Sequence, residues 1–439
     1  MAQQKAISGF SKMSASEKVR WLKEVHDLSP GDVKNLEQHL HPDEKTQQTY
    51  TEFSENTISN FFIPFGLAPN FLVNGKWYVL PMAIEESSVV AAASHAAKFW
   101  SAHGGFHAEV EDTVKVGQVH FFWTGDPRAI QDIFKRSLTT LQNSVSSETE
   151  SMRKRGGGLI NLQLINQTEN LDHYYQLHTE FRTADAMGAN FINTVLEKLA
   201  KEWKRLAQEQ VGQNNLEGEL EISMAILSNY TPDCIVKVWL ETETSHLGGF
   251  DASYSDEAFA QRFVRAVEVA RQDTHRAVTH NKGIFNGLDS VIIATGNDFR
   301  AVEACGHAYA ARDGVYRSLS YAKVRNGKFR FELKIPLAIG TVGGLTSGHP
   351  MARTSLKLLG DPSAEELMMI VAAAGLANNF SAVRSMITGG IQEGHMKMHL
   401  ANILRQLDAT EKQKSAALTF FKKRTVSYSA VKTFISEQP

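Results

Sequence analysis

Lys282 and Asp298 bracket the stretch THNKGIFNGLDSVIIATGND, residues 279–298. Between them runs an apolar stretch, Val291 to Ala294, with a lysine at its entrance and an aspartate at its exit. Asn281, Gly283, Asn286 and Gly287 read as a turn-rich segment around Lys282. Asp298, after Gly296 and Asn297, reads as a strand-to-turn junction. Polar side chains at the ends of a buried element are where a scaffold sets chemistry rather than packing. A lysine beside a carbonyl oxygen stabilises negative charge as it develops, and a carboxylate or imidazolium moves protons. Two further carboxylates, Glu85 and Glu86, precede a run of small residues, and GHMKMHL holds His395 one helical turn from His399. That is metal-ligand spacing, but Glu393 lies outside the pair and no H-E-x-x-H occurs, so no metal is expected. His395 after Gly394 reads alternatively as a proton donor. Lysine, carboxylates and histidine together suggest carbonyl reduction.

TADAMGAN, residues 183–190, follows a strand pattern and precedes an amphipathic helix. Gly188 and Ala189 permit close approach, and a helix N-terminus offers free N–H groups to an anion such as a pyrophosphate. The same letters fit a tight turn with Asp185 as a plain cap. No G-x-G-x-x-G follows a strand, so an ordinary Rossmann site has no support. Gly156, Gly157 and Gly158, preceded by Arg153, Lys154 and Arg155, read as a hinge or as a surface facing a phosphate.

The elements that must position these groups are legible from periodicity. Residues 11–50 are polar and helical in period, with a capping box in SASEKVRWL. Next come a strand, a turn at Asn74-Gly75, a second strand and a small-residue helix from about Ser87, with Glu85 and Glu86 at its N-terminus. Residues 112–229 run strand–helix–strand–strand–helix–strand, the split βαβ or ferredoxin-like plan, inserted into a larger domain that resumes near 230. The fold class is therefore α+β, a large mixed α/β domain with an inserted ferredoxin-like domain and a helical C-terminus.

Composition narrows the classes. Hydrophobic residues make up 42% and charged residues 21%, with a formal net charge of −2. No basic field argues for nucleic acid. Two cysteines, Cys234 and Cys305, make no metal-ligand spacing and fit a reducing cytoplasm. The N-terminus lacks a signal-peptide core. The longest apolar stretch, MMIVAAAGLA at 368–377, falls short of the roughly 18–20 residues that span a bilayer, so a soluble cytoplasmic protein with no membrane partner is expected.

GLAPNFLVNGKWYVLPMAIEESSVVAAAS, DAMGAN, THNKGIFNGLDSVIIATGND, GTVGGLTSGHP and GHMKMHLANI occur in that order over roughly residues 50–405. This set resembles the 3-hydroxy-3-methylglutaryl-CoA (HMG-CoA) reductases in their soluble, bacterial class II form. The resemblance implies a four-electron reduction of HMG-CoA to mevalonate and CoA with two NAD(P)H, within isoprenoid synthesis. It implies catalytic Glu86, Lys282, Asp298 and His395, with Lys282 and Asp298 meeting at one substrate carbonyl and His395 at the start of a C-terminal flap. It further implies substrate contacts from Ser88, Arg276, Asn286 and Asn379, and cofactor contacts from Asp185, Met187, Gly188, Asn190 and Asn229. The expected segments are 1–111 and 230–377 for the large domain, 112–229 for the cofactor domain and 378–439 for the flap. A homodimer or dimer of dimers, with the site completed across the interface, is also implied. Three positions depart from the family pattern: Ser59 where glycine is usual, Ser87 where proline is common, and Asn378 where glutamine is frequent. Before the glycine triplet, Glu148 and Glu150 favour NADH while Arg153, Lys154 and Arg155 favour NADPH, and the balance leans to NADPH. A mevalonate-oxidising relative and a catalytically silent acyl-CoA binder are the alternatives.

Overall fold

The structure, a computed structural model, describes residues 6–214, 216–251, 253–388, 400–421, 424 and 426–437. The chain divides into two compact units, Met1–Pro64 and Phe65–Pro439. The expected segment 1–111 places no boundary at Pro64.

The first unit is helical: α1 (Ala15–His26), α2 (Pro30–Gln38) and α3 (Glu44–Thr51). Ser14 with Glu17 and Ser29 with Asp32 form capping boxes, each satisfying amides that the first turn leaves unpaired. Ser59, where the family usually has glycine, donates its hydroxyl to the Leu36 carbonyl at 2.7 Å, closing the loop onto α2.

The second unit opens with a hairpin, β1 (Phe65–Val73) and β2 (Lys76–Ala83), paired antiparallel. Asn74 and Gly75 both take positive φ, the turn that matches strand twist, as the Asn-Gly pair predicts. Then follow α4 (Val89–Ser101), β3 (His107–Val110), β4 (Lys115–Trp123), α5 (Pro127–Ser144), α6 (Ser146–Arg153), β5 (Gly158–Asn166), β6 (Tyr174–Arg182), α7 (Ala189–Asn214) and β7 (Leu220–Leu227). Strands β5-β6-β4-β7 form one antiparallel sheet in that order, the strand order of a split βαβ unit. Ile130, Ile133 and Leu141 of α5, with Val195, Leu199 and Trp203 of α7, pack on Phe121 and Leu177 in one core.

The remainder comprises β8 (Ile235–Glu243), α8 (Asp256–Gln272), α9 (Thr274–Ala294), α10 (Phe299–Ala310), β9 (Ser320–Arg325), β10 (Lys328–Pro336), α11 (Gly344–Gly348), α12 (Pro350–Leu358) and α13 (Ala364–Ile387). A second antiparallel sheet runs β3-β8-β10-β9. Helix α13 is long and apolar enough to cross a membrane, but 83% of its most apolar window is buried inside the protein. It is the core helix of the larger part, so its apolar surround reflects burial on all sides. The expected segment boundary between Ala377 and Asn378 falls inside α13, whose residues on both sides share one core. Beyond it, Leu400, Ile403, Ala417, Phe421, Val431 and Phe434 form a separate small core.

One expectation is corrected. The segment around Lys282 is neither turn nor strand: residues 274–294 are one helix, α9. Gly287 supplies the reason, since a Cβ there would sit 2.3 Å from the Ala374 carbonyl oxygen. It permits close approach of α9 to α13. Asn281 is fully buried, donating to Arg317 O at 2.9 Å and accepting from Leu319 N at 3.0 Å. These residues look like turn formers by type and serve helix packing in fact.

Candidate active site

Glu86 lies on the short connection between β2 and α4, and Lys282 projects from the middle of α9. Lys282 Nζ donates to Glu86 Oε2 at 2.6 Å, with both side chains part-exposed. An exposed pair of this kind contributes only about 0–1 kcal/mol to stability, so the pairing calls for a chemical rather than a structural reading. Ser88, the residue before α4, is held at φ 74 and its hydroxyl makes no capping bond. A serine in the left-handed region is strained, and such strain gathers at functional sites.

Arg276 stands in the first turn of α9, half-buried, with Nη2 3.3 Å from Met386 Sδ and no carboxylate partner among the described residues. Burial lowers its pKa from the usual guanidinium value. Asn286 lies one turn beyond Lys282, on the same face of the helix, and is half-buried. Asn379 sits deep in α13: it donates to the His280 carbonyl at 3.3 Å and accepts from Ser320 Oγ at 2.8 Å. Ser320 Oγ in turn lies 2.6 Å from His280 Nε2. Burial drives the His280 pKa down to about 3, with the Arg276 charge adding to it, so this ring is neutral. Asn379 thus braces α9 two residues before Lys282. Nothing in the sequence pattern singled out His280 or Ser320, because each is an ordinary polar residue until α9, β9 and α13 meet.

Asp298 caps α10, accepting from Arg300 N at 3.1 Å and Ala301 N at 3.3 Å, while the Arg300 guanidinium grips both oxygens at 3.0 Å. Burial pushes its pKa up, but the bonds from Arg300 and the Ala301 amide outweigh that and hold it below the usual carboxylate value. Lys282 and Asp298 are not brought together within the chain. Helix α9 rises about 1.5 Å per residue, so its turns from Lys282 to Ala294 cover about 18 Å before Asp298 is reached. The expectation that the apolar run joins both groups at one carbonyl is corrected for a single protomer: a helical spacer separates its ends.

A carboxyl pair escaped the sequence reading altogether. Asp289, two turns beyond Lys282 on α9, is mostly buried. Burial raises its pKa to about 8, with the Glu303 carboxylate on α10 adding by charge and hydrogen bond.

The loop 183–190 joins β6 to α7. Asp185 is not a cap for α7: its Oδ1 accepts from Ala364 N, the first residue of α13, at 2.8 Å, and its carbonyl accepts from Thr341 N at 2.8 Å. Ala186 bridges to Val342. Gly188 has φ 98, and a Cβ there would lie 2.4 Å from Thr183 Cγ2, so only glycine fits. With Gly188 opening α7, the amides from Gly188 to Phe191 have no intrahelical acceptor. Met187 and Asn229 line a shallow, mostly apolar cleft with Lys115 and with Ala301, Val302 and Cys305 of α10; Asn190 is exposed beside Ala189, which also lines it. Free amides above a glycine cradle fit the pyrophosphate of a dinucleotide. His395 and His399 lie outside the described residues.

A family model described as hydroxymethylglutaryl-coenzyme A reductase matches residues 14–400. The chain belongs to this family. The 3-hydroxy-3-methylglutaryl-coenzyme A reductase of Archaeoglobus fulgidus is 35% identical over 405 residues, 92% of this chain and 88% of its own. A probable member from Borreliella burgdorferi is 32% identical, over 80% of this chain and 78% of its own. The class II 3-hydroxy-3-methylglutaryl-CoA reductase of Streptococcus pneumoniae, solved bound to NADPH in open conformations, has a TM-score of 0.71 at 35% identity, covering 87% of this chain and all 100% of that one. A second structure from that organism has a TM-score of 0.72 at 33% identity and covers 99% of this chain and 100% of its own. The chain is therefore a class II member, with the mixed α+β fold and antiparallel sheets of that class.

Proposed function

We infer that the chain reduces HMG-CoA to mevalonate and free CoA, consuming two NAD(P)H and two protons, a step of the mevalonate pathway. The observation that carries the chemistry is the Lys282 ammonium 2.6 Å from the Glu86 carboxylate, beside the strained Ser88. NAD(P)H, when bound, supplies hydride to the thioester carbon and then to the aldehyde. Lys282 donates to the carbonyl oxygen as negative charge develops there. Glu86, hydrogen-bonded to that lysine, takes up one of the two protons consumed and delivers it to the aldehyde oxygen. Arg276 pairs with the carboxylate of the glutaryl group, Ser88 and Asn286 hydrogen-bond the substrate, and Asn379 acts on the lysine through α9. We assign protonation of the CoA thiolate to His395 by family resemblance.

The β5-β6-β4-β7 unit, residues 112–229, is proposed as an inserted ferredoxin-like cofactor domain within a large domain made of 1–111 and 230 onward, with the flap following α13. Asp185, Met187, Gly188, Asn190 and Asn229 are proposed to surround the cofactor. NADPH is favoured over NADH. Glu150 is engaged by Lys154 at 2.7 Å and Glu148 lies 3.8 Å from Lys198, whereas Arg153 and Arg155 are exposed with no carboxylate partner among the described residues. A cytoplasmic location accords with the two free cysteines.

The separation of Lys282 from Asp298 supports a homodimer, alone or paired again, in which each site takes Glu86 and Lys282 from one protomer and Asp298 from the other. Purified protein mixed with HMG-CoA should oxidise NADPH faster than NADH, and Lys282→Ala and Asp298→Ala should each abolish oxidation without unfolding the chain. Co-refolding the two variants in equal amounts should restore about a quarter of wild-type activity, since half the random dimers carry one intact site. A mixture as silent as its components would overturn the shared site. Wild-type protein that is folded, dimeric and inactive with both nucleotides would overturn the function.

A further inference from the structure

Lys115, at the first position of β4, is 4% exposed, and its Nζ donates to Thr183 Oγ1 at 2.7 Å and lies 3.4 Å from the Ala186 carbonyl oxygen. Thr183 passes the contact on, donating its own hydroxyl to that same Ala186 carbonyl at 2.6 Å. No carboxylate pairs with Lys115 among the described residues. Burying an uncompensated cation is costly. Burial lowers the Lys115 pKa, and the neighbouring Cys234 thiol, which burial pushes up to about 11, supplies no thiolate to oppose this. The ammonium nevertheless lines the cleft that Met187 and Asn229 also line.

The contacts fix the loop's direction. A trans peptide points its carbonyl and its N–H oppositely, so an Ala186 carbonyl held inward by Lys115 and Thr183 turns the Met187 N–H toward the Val342 side, where Ala186 forms its bridge. From there the left-handed Gly188 launches α7, and its unpaired first-turn amides are set beside the cleft.

We propose that Lys115 is a positioning residue for the nucleotide: through Thr183 and Ala186 it holds the 183–190 loop in the shape that presents its first-turn amides to the cofactor. This rests on the reading of that loop as the cofactor site.

The test is NADPH binding to the full chain without acyl-CoA, followed by nicotinamide fluorescence. Lys115→Met should weaken Kd roughly tenfold, as expected when the loop loses the hydrogen bonds that set its amides, while HMG-CoA affinity stays within twofold. The melting temperature of the nucleotide-free variant should equal or exceed that of the wild type, since an unpaired buried charge is gone, and the rise on adding NADPH should shrink. Thr183→Val, which breaks only the relay, should weaken NADPH in the same direction and provides the readout if Lys115→Met does not fold. Wild-type NADPH affinity in a folded variant overturns the proposal, as does a lower melting temperature with equal loss of both ligands, which marks mere structural support. Gly188→Val separates the two readings. If it abolishes NADPH binding while Lys115→Met does not, the loop is the site and Lys115 is not its support. If it leaves binding intact, or the wild type binds neither NADPH nor NADH, both readings fall.

Discussion

At the scale of the residue, Ser88 carries the clearest conflict between stability and use. Its φ of 74 suits glycine, and no capping bond compensates. Ser88→Gly should therefore stabilise the protein by about 0.5–1 kcal/mol and, by removing the hydrogen bond proposed to the substrate, raise KM for HMG-CoA about three- to tenfold. Thermal melts and steady-state kinetics read the two effects separately, and a variant less stable than the wild type would contradict the strain argument. Asp298 makes a different point at this scale. Its type and position were legible, but its engagement with Arg300 two residues on was not, because only the turn into α10 brings the guanidinium around to both oxygens.

At the scale of the element, α9 decides the site. Two glycines one turn apart have opposite roles. A Cβ on Gly283 would meet Ala382 Cβ at 3.8 Å, an ordinary contact, whereas one on Gly287 would strike the Ala374 carbonyl oxygen at 2.3 Å. Gly283→Ala should gain up to about 1 kcal/mol from helix propensity alone. Gly287→Ala should lose about 2 kcal/mol or more, because α9 must move away from α13. Urea unfolding of the two variants gives the comparison, and equal effects would mean that the α9–α13 contact does not constrain α9. The sequence suggested turns here because asparagine and glycine are turn formers in isolation. In α9 they are small or amide-bearing residues at a tight helix crossing, and tertiary contact overrides the local preference.

At the scale of the whole molecule, two buried groups set the pH dependence of stability. The folded pKa of Asp289 is raised from 3.8 to about 8, first by burial and then by Glu303. Its contribution is complete below its unfolded pKa and is lost as pH rises through about 8. His280 is depressed from 6.5 to about 3, mainly by burial. Its contribution is complete above 6.5 and is lost as pH falls toward 3. The two slopes oppose each other in acid, but from pH 6.5 to 8 only the aspartate's remains. Stability should fall as pH rises over that window, by at most about 1.36 kcal/mol per pH unit for one proton. Asp289→Asn should flatten the fall without loss of fold. Denaturant unfolding at several pH values provides the check, and an unchanged slope in the variant would remove the aspartate from the account.

By itself the sequence determined the family, the β1–β2 hairpin with its Asn-Gly turn, the alternation that builds the β5-β6-β4-β7 sheet and the helical stripes that cover it. These are short-range patterns: a turn needs two residues, a strand face a period of two, a helix face a period of 3.6. It also supplied the types and order of the candidate residues. Tertiary structure decided what those residues touch. It made residues 274–294 one helix, set Glu86 against Lys282, turned Asp185 to the first turn of α13, and buried Lys115, His280 and Asp289 where no local signal marks them. Burial and pairing are properties of segments far apart in the chain, so the chemical state of a side chain is fixed only when those segments meet.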